Sequence, residues 1–296
     1  MNKNELELLL KNTKYEPFIG FINSVELKGH IYNDLYKIGS DKLGFFILKI
    51  RKKNDKSVLD SINNISIIKD NEKFLHNFMD LIEKDGYIIM ISEWLNGIQP
   101  IDKNRECLPK YFSMLANLNK QNIAKNSFTS MYVDGNYFSS INDLINWEIN
   151  YHKNYLQDII EIKEIINILE IMKHGMPCMI LEDMNTGNLI KTNDGKYKFL
   201  DTEWIINGLN LYQFEKIDYF GYEERQWYNI NEEAKDCYIA YFETLGVKFN
   251  EANEQIRAFE LLKVLRDNTY LKYLKKDNDK EILNRIKIIT EKEKYI

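Results

Sequence analysis

Cysteine and histidine are scarce in this chain. Among 296 residues there are three cysteines, Cys107, Cys178 and Cys237, and four histidines, His30, His76, His152 and His174. No two cysteines form a CxxC pair, and no Cys/His group has zinc-ligand spacing. A metal centre built on sulfur or imidazole is therefore not expected, and any bound metal must be held mainly by oxygen. Odd, sparse cysteine use also fits a reduced compartment. Long apolar runs are missing too: none reaches the ~18 residues a membrane helix needs. The opening segment MNKNELELLLKN stops being apolar at Leu10 and carries Glu5 and Glu7. It reads as neither a signal peptide nor a span. A cytoplasmic protein with no membrane partner is the expectation. A basic excess is absent as well. Forty Lys and Arg face 45 Asp and Glu, net −5, with the signs mixed along the chain. Runs such as Arg51-Lys52-Lys53 are short, so nucleic acid is not an expected partner.

Chain breakers are also few. Only 13 Gly and 4 Pro punctuate the sequence, so long helices should occupy much of it. No internal repeat and no low-complexity linker occurs. What is present is core-forming material, 44% hydrophobic residues, far too much for a disordered chain. The length suits one or two domains.

Residues 1–100 read as β-rich. Glu16 to Glu26 is apolar and β-branched and runs to the turn Lys28-Gly29-His30. Leu35 to Ile38 and Gly44 to Ile50 flank the polar turn Gly39-Ser40-Asp41-Lys42, a hairpin pattern. A helix is expected within 56–72. A second hairpin is expected from Asn77 to Trp94 around Asp85-Gly86. Beyond Gly97 the period changes to helical over 105–122, 139–172, 231–246, 251–271 and 279–292. Leu108, Phe112, Leu115 and Leu118 mark the first of these. Ile159, Ile162, Ile165, Ile166 and Leu169 mark a core stripe in the second. Gly246 is a natural stop. One β insert interrupts the helices. Pro177 to Leu181 is apolar, a polar loop runs from Glu182 to Gly187, and Asn188 to Ile190 turns at Asn193-Asp194-Gly195 into Lys196 to Leu200.

That insert holds the informative residues. Asp183 and Asn188 flank one tight loop in Asp183-Met184-Asn185-Thr186-Gly187-Asn188. Asp201 sits where the return strand ends, and the hairpin brings it back beside Asn188. Three oxygen-bearing side chains thus converge at one end of a two-stranded element. Mg²⁺ takes such ligands: hard oxygens, few of them, with phosphate oxygens completing the octahedron. Asp201 and Glu203, two carboxylates just past an apolar strand, repel each other unless a cation or water separates them.

In these segments the sequence resembles the aminoglycoside phosphotransferase and choline kinase family, small-molecule kinases of protein-kinase-like fold. That family carries a loop of the form HGDxxxxN and, one hairpin later, a metal-binding IDxE or IDW segment. Here they read Leu181-Glu182-Asp183-Met184-Asn185-Thr186-Gly187-Asn188 and Leu200-Asp201-Thr202-Glu203-Trp204. The resemblance implies an α+β fold, with a β-rich nucleotide-binding lobe over 1–96 and a helical catalytic lobe over 97–296. It implies a donor of ATP or GTP, Mg²⁺, and a small hydroxyl compound as acceptor. By position, Asp183 would be the catalytic base, while Asn188 and Asp201 would hold Mg²⁺ with Glu203 supporting that shell. Lys49, in Phe46-Ile47-Leu48-Lys49-Ile50, would contact the α and β phosphates. Lys28 to Asn33 lies where the phosphate-covering loop belongs. Ser92-Glu93-Trp94-Leu95-Asn96-Gly97 resembles the hinge, with backbone groups of Glu93 and Leu95 meeting the base edge.

Three departures are visible. The family's loop histidine is Leu181 here, and its glycine is Glu182. The helix carboxylate that pairs with Lys49 is Asp60 on a short spacing or Glu72 on a longer one. Past Trp204 the family often carries a further aspartate, where this chain offers Gln213. Tyr212 to Tyr228 mixes aromatics with carboxylates, which would suit a cationic acceptor such as an amino sugar or an amino alcohol. The same composition also describes an amphipathic helix with a solvated acidic face. A kinase-shaped binding protein without turnover is the alternative from another functional class.

Overall fold

The computed structural model describes the chain apart from residues 1, 30–33, 53–72, 74, 76–77, 99–107, 122–127, 130–136, 156–161, 182–187, 201–204, 215–231, 276–278 and 293. In chain order the first elements are α1 (Lys3–Leu10), β1 (Ile22–Gly29), β2 (Asp34–Ser40), β3 (Gly44–Lys52), β4 (Phe78–Lys84), β5 (Tyr87–Glu93) and β6 (Gly97–Ile98). Next come α2 (Leu108–Gln121), β7 (Phe128–Thr129), β8 (Tyr137–Phe138), α3 (Ile141–Lys153) and α4 (Ile162–Glu170). The chain continues with β9 (Pro177–Leu181), β10 (Leu189–Thr192), β11 (Tyr197–Phe199) and β12 (Ile205–Leu209). It ends with α5 (Glu232–Leu245), α6 (Phe249–Tyr273) and α7 (Asp279–Glu291). Two compact units result: Met1–Gln99 with Asn188–Trp204, and Pro100–Gly187 with Ile205–Ile296.

The first unit is built on an antiparallel sheet of order β1-β2-β3-β5-β4. Both expected hairpins form. The β2–β3 hairpin closes at the Ser40–Gly44 pair, with Gly44 at φ +72°. The β4–β5 turn places Asp85 at φ 50° and Gly86 at φ 80°. Two left-handed residues in succession are what a tight turn matched to strand twist demands, and Asp-Gly supplies them cheaply. The expected helix within 56–72 lies outside the described residues. Alternation sorts the strands into two faces. Tyr36, Ile38, Phe46, Leu48, Ile89 and Ile91 form one face and are buried with Leu6, Leu10, Tyr15 and Ile22.

Helix α1 supplies Leu6 and Leu10 to that face. Its start is a capping box. The Asn2 side chain accepts from the Glu5 N–H at 3.0 Å, and the Glu5 carboxylate accepts from the Asn2 N–H at 2.6 Å. Its end is closed from another element. Lys84 on β4 donates to the carbonyls of Leu8, Leu9 and Lys11 at 2.6, 3.1 and 2.8 Å. A cation on the last carbonyls satisfies groups the helix cannot and complements its dipole. Part of the stretch read as β-branched, Glu16–Phe21, is a 3₁₀ turn, with Pro17 in its first turn. Only from Ile22 does the strand begin.

Among the described residues, the second unit is helical apart from the ladder β9–β12, the short pair β7–β8 and connecting turns. Leu108, Phe112, Leu115 and Leu118 are all buried on α2, as their spacing requires. An aromatic nest ties α2 to α5. Phe112 stacks on Phe214 with centroids 5.0 Å apart, and Phe214 meets Tyr238 and Tyr241 at 4.4 and 4.8 Å. Gly246 does stop α5. At φ +77° it lets the Gly246 and Val247 N–H groups return to the Glu243 and Phe242 carbonyls, the glycine-terminated helix end. The helical stretch 139–172 divides into α3 and α4, with Asn154 and Tyr155 already out of the first helix.

A buried ion pair crosses this unit. Glu148 on α3 is 1% exposed. It accepts from Arg266 on α6 at 2.6 Å and from the Tyr212 hydroxyl at 3.0 Å. His152 lies 3.1 Å from it and 2.7 Å from Thr269. Burial by itself raises the Glu148 pKa. The Arg266 guanidinium and the His152 contact outweigh it and hold the carboxyl well below its ordinary value of 4.5. A carboxylate depressed in the fold contributes stability that is complete above its unfolded value. That stability is lost as pH falls from there through the folded value. Glu148→Ala should therefore cost about 3 kcal/mol at neutral pH, because it takes a carboxylate away from a buried guanidinium. It should also flatten the acid side of the stability curve, as read by urea melts at pH 3.5–7. A loss equal at both ends of that range would contradict this account of the pair.

Candidate active site

The residues singled out above fall on two described frames and two segments. In the second unit, β9 runs in an order that pairs Leu181 with Ile205 of β12. In the first unit, β10 and β11 pair Leu189 with Phe199, and the Leu200 N–H donates to the Asn188 carbonyl at 2.7 Å. The segments 182–187 and 201–204 therefore begin and end on neighbouring backbone: Leu181 beside Ile205, and Asn188 beside Leu200. Asp183, Asp201 and Glu203 lie in those segments, outside the described residues. Asn188, half-buried, immediately precedes β10. The turn between β10 and β11 forms as read, with Gly195 at φ +80°. The strand β12 has no counterpart in the sequence reading. Its Ile205-Ile206 pair was the available signal, set so close behind Trp204 that the run looked continuous with the motif.

Leu181 occupies the position that the resemblance gives to a loop histidine. It is 6% exposed. Its carbonyl accepts from the Gln213 side-chain nitrogen at 3.4 Å. Gln213 is wholly buried, and its side-chain oxygen has no hydrogen-bond partner among the described residues. The glutamine noted as a departure is thus part of the support behind residue 181. Tyr212 and Phe214 beside it are core residues at 1% and 0% exposure. The acidic and aromatic stretch that follows, 215–228, lies outside the described residues, as do Asp60 and Glu72.

Lys49 sits in the middle of β3, paired with Leu35 on β2 and Met90 on β5. Directly paired residues share a face. Alternation therefore adds Lys37, Ile47, Phe45 and Ser92 to the Lys49 face. This is the side opposite the one that α1 covers. It offers an apolar floor with lysines set into it, which suits a flat ring and an anionic tail.

The hinge segment is tied to the hairpin that starts at Asn188. Glu93, at the end of β5, pairs its carboxylate with Lys198 on β11 at 2.9 Å. The Asn193 N–H donates to the Asn96 carbonyl at 3.1 Å. Gly97 and Ile98 pair with Thr192 and Lys191, giving a small sheet of order β11-β10-β6. Leu95 is half-buried between these ties. Trp94 donates its ring N–H to Asn96 at 2.9 Å. Gly97 is required by close approach: a Cβ there would lie 2.2 Å from the Lys191 carbonyl oxygen. That neighbour is backbone and cannot rotate away. Gly97→Ala should cost about 1–3 kcal/mol, which urea melts of the variant check. Unchanged melting would mean the two strands separate at no cost.

Comparison with known proteins gives fold but no close relative. No family model matches the chain, and no curated protein matches it in sequence. Among solved structures, the Plasmodium vivax ethanolamine kinase shares 13% identity, with 96% of this chain and 84% of that one covered at a TM-score of 0.60. An aminoglycoside phosphotransferase APH(4)-Ia, solved with ADP and hygromycin B, shares 13% over 97% and 98% of the two chains, TM-score 0.57. The choline kinase LicA from Streptococcus pneumoniae shares 12% over 97% and 100%, TM-score 0.56. The chain therefore has the α+β protein-kinase-like fold over nearly its whole length. Among the described residues, no helix is long and apolar enough to cross a membrane.

Proposed function

We propose that this protein is a small-molecule kinase, moving the γ-phosphoryl group of ATP or GTP to a hydroxyl of a small acceptor. The observation that carries the reading is the pairing of the residues that flank the two motif segments in sequence, Leu181 with Ile205 and Asn188 with Leu200. The fold shared with aminoglycoside, choline and ethanolamine kinases supports the same reading.

In this reading Asp183 receives the acceptor hydroxyl. A carboxylate with an ordinary pKa near 3.9 is a weak base. It orients the oxygen, then takes the proton as the new O–P bond forms and the bond to the β-phosphate oxygen breaks. Lys49 binds the α and β phosphates from its face of the sheet. Backbone groups of Glu93 and Leu95 meet the base edge. The donor types would suit a magnesium ion: Asn188 immediately before β10, Asp201 following Leu200 in the sequence, and Glu203 two residues on. When bound, that ion neutralises charge on the phosphate oxygens. The acceptor is a hydroxyl compound of the amino sugar or amino alcohol type. The lobes are proposed as 1–96 and 97–296.

A second reading has one observation behind it. Leu181 cannot hydrogen-bond the loop as a histidine side chain would, which fits a nucleotide-binding protein without turnover. The test is direct: incubate the full chain with ATP or GTP, Mg²⁺ and a panel of amino sugars, aminoglycosides and amino alcohols, and follow ³¹P signals. The kinase reading expects a phosphomonoester and nucleoside diphosphate in equal amounts with at least one acceptor. Nucleotide binding without any product would favour the second reading.

A further inference from the structure

The chain holds two Asn-Gly steps, Asn96-Gly97 and Asn207-Gly208. Such a step is prone to self-attack, because glycine has no side chain to shield its nitrogen from the preceding side-chain amide. The fold treats the two differently. In an antiparallel ladder, hydrogen-bonded and non-hydrogen-bonded pairs alternate. The Asn193 N–H donates to the Asn96 carbonyl, so those two residues are a hydrogen-bonded pair. Thr192–Gly97 is the next pair and Lys191–Ile98 follows. Alternation makes Thr192–Gly97 a non-hydrogen-bonded pair, so the Gly97 N–H points away from β10. Strand β6 is an edge of its sheet, and Asn96 and Gly97 are both exposed. At the second step the alternation falls the other way. The Asn210 N–H donates to the Met176 carbonyl. Two residues further along that ladder, Gly208 faces Cys178. Their pair is hydrogen-bonded, so the Gly208 nitrogen is held in the ladder, and Gly208 is buried.

We infer that Asn96 is a self-modification site, converting with time to aspartate and isoaspartate. The Gly97 nitrogen attacks the side-chain carbonyl carbon of Asn96. A nitrogen–carbon bond forms, the bond to the side-chain nitrogen breaks, and ammonia leaves with the proton given up by Gly97. Water then opens the five-membered imide at either carbonyl, giving aspartate or isoaspartate. The Trp94 ring N–H donates to the Asn96 side-chain oxygen at 2.9 Å. A donor there stabilises the negative charge that builds on that oxygen during the attack. Strand β6 is only two residues long, so the rotation that brings nitrogen to carbon opens little structure. The reaction needs no cofactor and does not rest on the kinase reading. Isoaspartate routes the main chain through the side-chain carbon, adding one atom between residues 96 and 97. That shifts β6 against β10 and loosens the tie between the hinge segment and the β10–β11 hairpin.

The test ages the full chain in warm, mildly alkaline buffer and follows the peptides holding Asn96 and Asn207 by mass spectrometry. Replacement of the amide NH₂ by OH marks each event. The Asn96 peptide should convert about tenfold or more faster than the Asn207 peptide, which must first break a buried ladder bond. On chromatography it should split into an aspartyl and an isoaspartyl form. In strong urea, where neither ladder exists, the two peptides should convert at similar rates. Asn96→Gln, which would have to close a six-membered ring, should show little conversion at that position. The separated isoaspartyl protein should melt below the fresh chain. Equal rates in the native protein, faster conversion at Asn207, or a native Asn96 that stays intact while the urea sample converts overturns the proposal. An isoaspartyl form that melts as the fresh chain does overturns the loosening of β6.

Discussion

Asp183→Ala should lower phosphoryl transfer by about 10²–10⁴-fold while leaving nucleotide affinity nearly unchanged. The size is what a positioned acid–base group contributes, equal to roughly 3–5 kcal/mol of barrier. The split follows from the role. In the proposed role Asp183 addresses the acceptor hydroxyl, and other groups hold the nucleotide. Turnover in the ³¹P assay and a nucleotide titration, run on one preparation, separate the two quantities. Asp183→Asn should be nearly as slow, since an amide still orients a hydroxyl but takes no proton. Full turnover in either variant would remove Asp183 from the chemistry. Equal losses of turnover and affinity would mean the loop had lost its shape.

Asp201→Ala should abolish the magnesium-dependent part of nucleotide binding. Asn188 alone offers one neutral oxygen. In the proposed reading the carboxylate that follows Leu200 offsets the charge of a divalent cation bound to phosphates. The Leu200–Asn188 backbone bond, at 2.7 Å, uses no side chain of residue 201, so the hairpin should survive the substitution. Asn188→Ala should weaken the same dependence by a smaller factor. Titrations with and without Mg²⁺ measure both. A magnesium effect that persists in Asp201→Ala would place the ion elsewhere.

Local signals explain what could be read from sequence. Asp85-Gly86 and Gly246 were legible because a left-handed backbone position needs a particular residue, and that residue was present. The α2 stripe was legible because period and burial coincide at Leu108, Phe112, Leu115 and Leu118. Helix α1 was not recognised, although Asn2 and Glu5 spell its capping box, because an eight-residue helix depends on the sheet beneath Leu6 and Leu10. The break between α3 and α4 was hidden by a helical period that continues across it. The motif order from Asp183 to Glu203 was legible as spacing along the chain. The ties that hold the hinge to that hairpin were not. Glu93 and Lys198 are 105 residues apart, β6 is two residues long, and no local pattern predicts either contact. The stacking of Lys37 over Phe45 and Trp94 is similar. It needs the β2–β3 register and the end of β5 at once.

The most direct test of a magnesium–nucleotide site in this fold is thermal unfolding of the full chain with ATP or GTP, with and without Mg²⁺. Ligand that binds only the native state stabilises by mass action, about 2.7 kcal/mol at a hundred times its dissociation constant. The account predicts a rise of several degrees in Tm with nucleotide and Mg²⁺ together, and little with either alone. A rise of the same size without Mg²⁺, or no rise with any combination, would contradict it.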